Sequence, residues 1–125
     1  MVALAKAYFQ EGSLEAAEDS QIRALDLARE NASSLQIGMA LGVRAQIQLK
    51  QGESGPARET SREAVVELRD GGSLIHLARG LATEFQVLEA CGAHPEAEAS
   101  RDEAIALFER LGAHLDLRQI QTVAG

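Results

Sequence analysis

The sequence has no tryptophan, one cysteine, two prolines and only four Phe or Tyr residues. Each shortage removes a class of protein. The single cysteine, Cys91, cannot close an internal disulfide, so the chain is expected in a reducing, cytoplasmic compartment rather than as a stapled secreted scaffold. No stretch approaches the roughly 18–20 apolar residues that a bilayer span needs, and no basic region precedes an apolar one as in a secretory signal. Positive charge is also short. Twelve Lys and Arg face nineteen Asp and Glu, a net charge of −7 that argues against a nucleic-acid or anionic-membrane surface. With Pro scarce and Ala and Leu common, helix is the favoured element, because Ala loses no side-chain entropy on entering one.

Residues fit for catalysis or metal binding are few. His76, His94 and His114 are the only histidines, and each falls at or near a repeat junction. Cys91, His94 and a carboxylate such as Glu96 or Glu98 lie close in sequence. They lack the two paired ligand sets that structural zinc prefers. Cys91 with His94 as nucleophile and base has no third group to orient the base. The many carboxylates fall opposite the apolar stripes, where charge marks a solvated helix face. We expect no enzyme activity, no metal and no cofactor.

What the chain has is a period. Gly12, Ala17 and Ala24 recur forty residues on as Gly52, Ala57 and Ala64, and again as Gly92, Ala97 and Ala104. Self-similarity at this spacing marks a repeat architecture. Helix-favouring segments alternate with short turns throughout. The segment from about 14 to 31 carries Leu14, Ala17, Ala24, Leu25 and Ala28 on one face, and that from 56 to 70 carries Ala57, Ala64, Val65 and Leu68. Leu74, Leu77, Ala78, Leu81, Phe85 and Leu88 form the next stripe, and Ala97, Ala104, Ile105, Phe108 and Leu111 the one after it. Ser13 and Ser73 are placed as N-caps, Pro56 in a first helical turn and Gly112 as a C-terminal stop. Gly38 and Gly42, four apart in the segment 35–51, predict a close helix–helix approach. The boundaries give repeats of about 1–34, 35–74 and 75–114 and a partial helix at 115–124, in one domain of 125 residues.

The Gly/Ala/Ala marks resemble the tetratricopeptide repeat, in which a small residue follows the first helix, an Ala opens the second and another Ala sits seven later. The resemblance covers essentially the whole chain. It implies an all-α fold: a right-handed superhelix of antiparallel helical hairpins, three hairpins plus a partial seventh helix. The period is forty rather than the usual thirty-four, so longer helices are expected. Arg44 and Glu84 stand where the family has Leu, and their equivalent places on neighbouring first helices suggest that they pair. The long repeat is similar to segments of large bacterial signalling proteins, among them LuxR-type ATP-binding regulators, adenylate cyclases and serine/threonine kinases.

The resemblance further implies a concave face lined by the first helices, holding Lys6, Phe9, Gln10, Met39, Val43, Gln46, Leu49, Lys50, Arg79, Thr83, Gln86 and Glu89. Lys6, Gln46 and Gln86 are equivalent positions, a polar ladder suited to an extended peptide backbone, with Phe9, Met39, Val43 and Leu49 as apolar contacts beside it. The set by which chaperone-binding members grip a terminal carboxylate is not matched, since Val2 and Lys6 stand where Lys and Asn belong. The expected function is a non-catalytic interaction module that binds a protein or peptide. The alternative is homo-oligomerisation by stacking of end hairpins, through Val2, Leu4 and Tyr8 at one end and Leu115, Leu117 and Ile120 at the other.

Overall fold

A computed structural model describes residues 2–124, with side-chain surroundings for 2–122. It consists of helices joined by turns: α1 (Val2–Gln10), α2 (Leu14–Glu30), α3 (Ser34–Lys50), α4 (Ser54–Gly71), α5 (Leu74–Ala90), α6 (His94–Leu111) and α7 (His114–Ala124). The protein is all-α, with seven helices and no strand among the described residues.

The turns follow from local chemistry. Positive φ occurs at Gly12, Gly52, Gly72, Gly92 and Gly112, and at Ala32 as the one non-glycine among the described residues. These positions are twenty apart, so the unit of the chain is one helix and one turn, and two units make the forty-residue repeat. At five of the six turns the residue after the left-handed one donates its N–H back to a carbonyl five residues earlier, as Ser13 does to Tyr8 and Ala93 does to Leu88, both at 2.9 Å. This satisfies a terminal carbonyl and turns the chain back in two or three residues. Of the predicted N-caps, Ser13 and Ser73 occupy the position without making the side-chain bond. Ser33 makes it, accepting from the Gln36 N–H at 3.2 Å.

Connections this short force chain neighbours to run antiparallel. Gly71, at the end of α4, lies against Leu35 at the start of α3, and the Cys91 thiol after α5 donates to the Ser54 carbonyl at the start of α4, at 3.3 Å. Beyond these neighbours, α1 packs on α3 and α3 on α5, so the first helices of successive hairpins touch. The marker alanines sit where helices meet: Ala17, Ala57, Ala97 and Ala104 have no exposed surface. A methyl group there lets the helix axes approach closely.

Leu68 of α4 is the central wedge. A Cβ on Gly38 would stand 2.6 Å from its Cγ, and one on Gly80 would collide with its Cδ1, so two helices drop their side chains to seat one leucine. The expected close approach therefore belongs to Gly38. A Cβ on Gly42 would meet no packing neighbour within 4 Å. The core has a group from α1–α4 around Leu25, Leu41 and Ile47, a group from α4–α7 around Leu81, Phe85 and Phe108, and a small third group in which Ala45 of α3, Ala57 of α4 and Val87 of α5 meet. Other expectations need correction. Leu74 and Leu111, in the terminal turns of α5 and α6, are exposed rather than buried. Arg44 and Glu84 do not pair. Glu84 instead accepts from the Ser100 hydroxyl of α6 at 2.8 Å, and Arg44 is exposed. No described helix is long and apolar enough to cross a membrane.

Candidate functional site

Stacking first helices side by side leaves a slot between them wherever the residues are small. A cleft of about 140 Å³ opens among α1, α3 and α5. Its floor is bare backbone at Gly38, Gly42 and Gly80, with Leu68 beneath. Six of the twelve residues expected on the inner face line it: Lys6, Met39, Val43, Gln46, Arg79 and Thr83. Val43 contributes little surface, being 5% exposed, because it belongs to the core of α1–α4. Met39 is half-buried and offers the adaptable apolar contact.

Two cationic side chains line this cleft, and one of them is paired with a carboxylate. Lys6 is exposed on α1 and Arg79 on α5, and no Asp or Glu is among the lining residues. The Arg79 guanidinium donates from Nε to Asp116 Oδ1 of α7 at 3.0 Å and from Nη2 to Oδ2 at 3.3 Å. The Thr83 hydroxyl turns back to the Arg79 carbonyl at 3.2 Å. His76 is held through Nδ1 by the Ser73 hydroxyl at 2.7 Å, which leaves its other ring nitrogen free of that contact.

A second, open cleft of about 550 Å³ lies where α3 and α5 end and α6 begins. Leu49, Gln86 and Glu89 of the expected face line it, together with Phe85, His94, Glu98 and Arg101. Its charges are mixed. His94 Nδ1 meets Glu89 Oε2 at 3.1 Å, and Arg101 has a buried Nε without a hydrogen-bond partner among the described residues. The polar ladder is therefore split: Lys6 and Gln46 share the first cleft, and Gln86 faces the second. Phe9, Gln10 and Lys50 line neither. Phe9 is half-buried against the α1–α4 core, while Gln10 and Lys50 are exposed.

Of the residues expected at the ends, Val2 is buried and Ile120, 4% exposed, is part of the α4–α7 core. Tyr8 and Leu117 are half-buried, and only Leu4 and Leu115 are exposed. Gly80, His76, Arg101 and Glu98 line the clefts but were not among the residues expected on the inner face, although His76 and Glu98 were weighed for other chemistry. Gly80 carried a usable signal as an interior helix glycine; the other three are ordinary polar residues until the packing places them.

The Cys91 thiol is engaged with the Ser54 carbonyl, and His94 with Glu89. No three His, Cys, Asp or Glu side chains converge among the described residues. Among the described residues, the acid–base pair with shifted values lies outside both clefts. A hydrogen bond from Arg69 of α4 holds the Glu103 carboxyl of α6 below its usual range, against the opposing effect of burial. The same bond raises Arg69. Against protein-family models, curated proteins and solved structures, the chain finds no match in any of the three comparisons.

Proposed function

We propose that the protein is a non-catalytic interaction module of tetratricopeptide type, binding a protein or peptide segment along the face made by α1, α3 and α5. In this reading it is a cytoplasmic part of a bacterial signalling or regulatory protein, whose hairpins continue as a right-handed superhelix. The observation that carries it is the first cleft, where side chains from three successive first helices converge on a glycine floor. A rigid helical frame loses little conformational entropy when it binds, so a modest set of contacts can give useful affinity. Gln46 presents an amide that can donate to and accept from an extended backbone, with Met39 beside it.

The test is selection from a displayed library of random decapeptides, followed by affinity measurement on variants. Gln46→Ala should weaken a selected peptide about fivefold, the worth of a hydrogen bond of roughly 1 kcal/mol, with no fall in melting temperature. Equal binding by the variant would refute the cleft as the docking site. Loss of stability together with binding would show Gln46 to be a packing residue. The competing reading, self-association through the ends, keeps Leu115 as its main support, which is 75% exposed.

A further inference from the structure

We propose that two copies of this chain join head to tail, with α7 of one copy and α1 of the next forming one continuous helix. The inference is independent of the inner-face reading. It gives self-association a defined register, which the residues first expected at the ends do not, since Val2 and Ile120 are already buried within their own copy. The register comes from the forty-residue period. α3 and α5 each run seventeen residues, Ser34–Lys50 and Leu74–Ala90. α7 starts at His114, in step with both, and is described for eleven residues. α1 ends at Gln10, in step with the ends of both, and is described for nine. One is the opening of such a helix and the other its close. Placed in line, they rebuild the helix that occurs twice inside the chain.

Burial supplies the independent observation. Leu115 of α7 is 75% exposed, whereas its equivalents Leu35 and Ile75 are partly buried against the core. Leu27 of α2 is 45% exposed, whereas Leu107, its equivalent on α6, is partly buried against the same core. Ala7 of α1 is exposed, whereas its equivalents Ile47 and Val87 are buried. The joint covers all three. The second copy's α2 packs along α7 of the first as α6 packs along α5, which brings its Leu27 over Leu115. Inside the chain Val87 meets Ala45 and Ala57. Forty residues on, these places belong to the second copy's Ala7 and to Phe85 and Ala97. Phe85 lines the open cleft of about 550 Å³, so the second copy's α1 enters where that cleft lies. The exchange of size fits, since Val87 faces alanine inside the chain and Ala7 faces phenylalanine at the joint. Leu49 and Gln86 line that cleft together, and forty residues on they become Glu89 and the second copy's Lys6, a pair of opposite charge. The two joined surfaces differ, so the contact is heterologous and further copies can add.

In this register residues 122–124 of one copy and 2–4 of the next claim the same places, so one turn must yield, and that gives the decisive variant. Light scattering on a sizing column, over a wide range of concentration, reads the mass. The 125-residue chain should rise above the mass of one copy as concentration increases. Deleting residues 122–125 should tighten the association about tenfold, because the parent joins only through the fraction of molecules in which that turn has withdrawn. Unchanged or weaker association by the deletion variant would overturn the register. Leu115→Glu blocks one end and Leu27→Glu the other, both at exposed positions, so each variant alone should stay a monomer with the parent's melting temperature. An equimolar mixture of the two should form a dimer and nothing longer, since only one intact joint can be made. A mixture that stays monomeric, or that grows beyond the dimer, would overturn the head-to-tail joint. A monomer at every concentration, with residues 122–125 and without them, would overturn the proposal as a whole.

Discussion

Ala32 stands at φ 51°, where every equivalent turn has glycine. A left-handed non-glycine residue is strained by about 1–2 kcal/mol. Glycine would remove that strain and lose about 0.5–1 kcal/mol through its freer unfolded chain. The first effect wins, so Ala32→Gly should stabilise the protein by about 0.5 kcal/mol, read as a higher urea midpoint with an unchanged slope. A lower midpoint would mean that the Ala32 methyl makes contacts worth more than the strain. The same residue explains a limit of the sequence. With glycine at 12, 52, 72, 92 and 112 and alanine at 32, the twenty-residue unit is broken once, and the forty-residue period is the pattern that shows. Gly38 was legible as a close approach, and Gly80 carried the same interior-glycine signal without showing what it packs against. It aligns with Ala40, and only the packing of Leu68 between α3 and α5 relates the two glycines.

Helices were the most readable level, because the turns that end them use residues with a mechanism: glycine for positive φ, proline in first turns and small polar residues before them. The bonds between helices were not readable. Arg58 of α4 reaches both carboxylate oxygens of Glu96 at 2.9 and 2.8 Å, and Arg69 reaches Glu103 at 2.7 and 2.6 Å, yet these partners lie 38 and 34 residues apart. Neither offset is the repeat length, since side chains reaching between α4 and α6 need not meet at equivalent positions. Arg69 and Glu103 also give the element-level prediction. Glu103 is held below the usual carboxylate range, so its contribution to stability is present above the unfolded value near about 4.3 and is lost as pH falls through the folded value. Both side chains are more than a third exposed, which limits the pair to less than about 1 kcal/mol. Glu103→Gln should therefore melt slightly below the parent at pH 7, with the difference closing below about pH 4 and in molar salt. A difference that stays constant as the pH falls, and that molar salt does not reduce, would assign the effect to packing.

At the scale of the molecule, the grouping of the core about α4 bears on how the chain comes apart. One apolar group draws on α1–α4 and another on α4–α7, a small third group of Ala45, Ala57 and Val87 joins α3, α4 and α5, and helices pack chiefly on chain neighbours and on alternate helices. In such an array stability is a sum of local terms and nearest-neighbour interfaces, so damage at one end need not reach the other. Phe108 of α6 is 1% exposed and packs in the second group. Phe108→Ala should cost about 3–5 kcal/mol of local stability. Native-state hydrogen exchange should show α5–α7 amides losing protection while α1–α3 amides keep most of theirs. Uniform loss along the chain would instead show one cooperative unit, in which Leu68, seated between Gly38 and Gly80, ties the halves together. The outcome bears on the proposed site, because the α1/α3/α5 cleft straddles the two larger groups. With independent halves, a ligand bridging α1 and α5 across the cleft would clamp them and slow exchange in α5. In a single unit the cleft is already rigid, and binding would leave the relative protection of the helices unchanged.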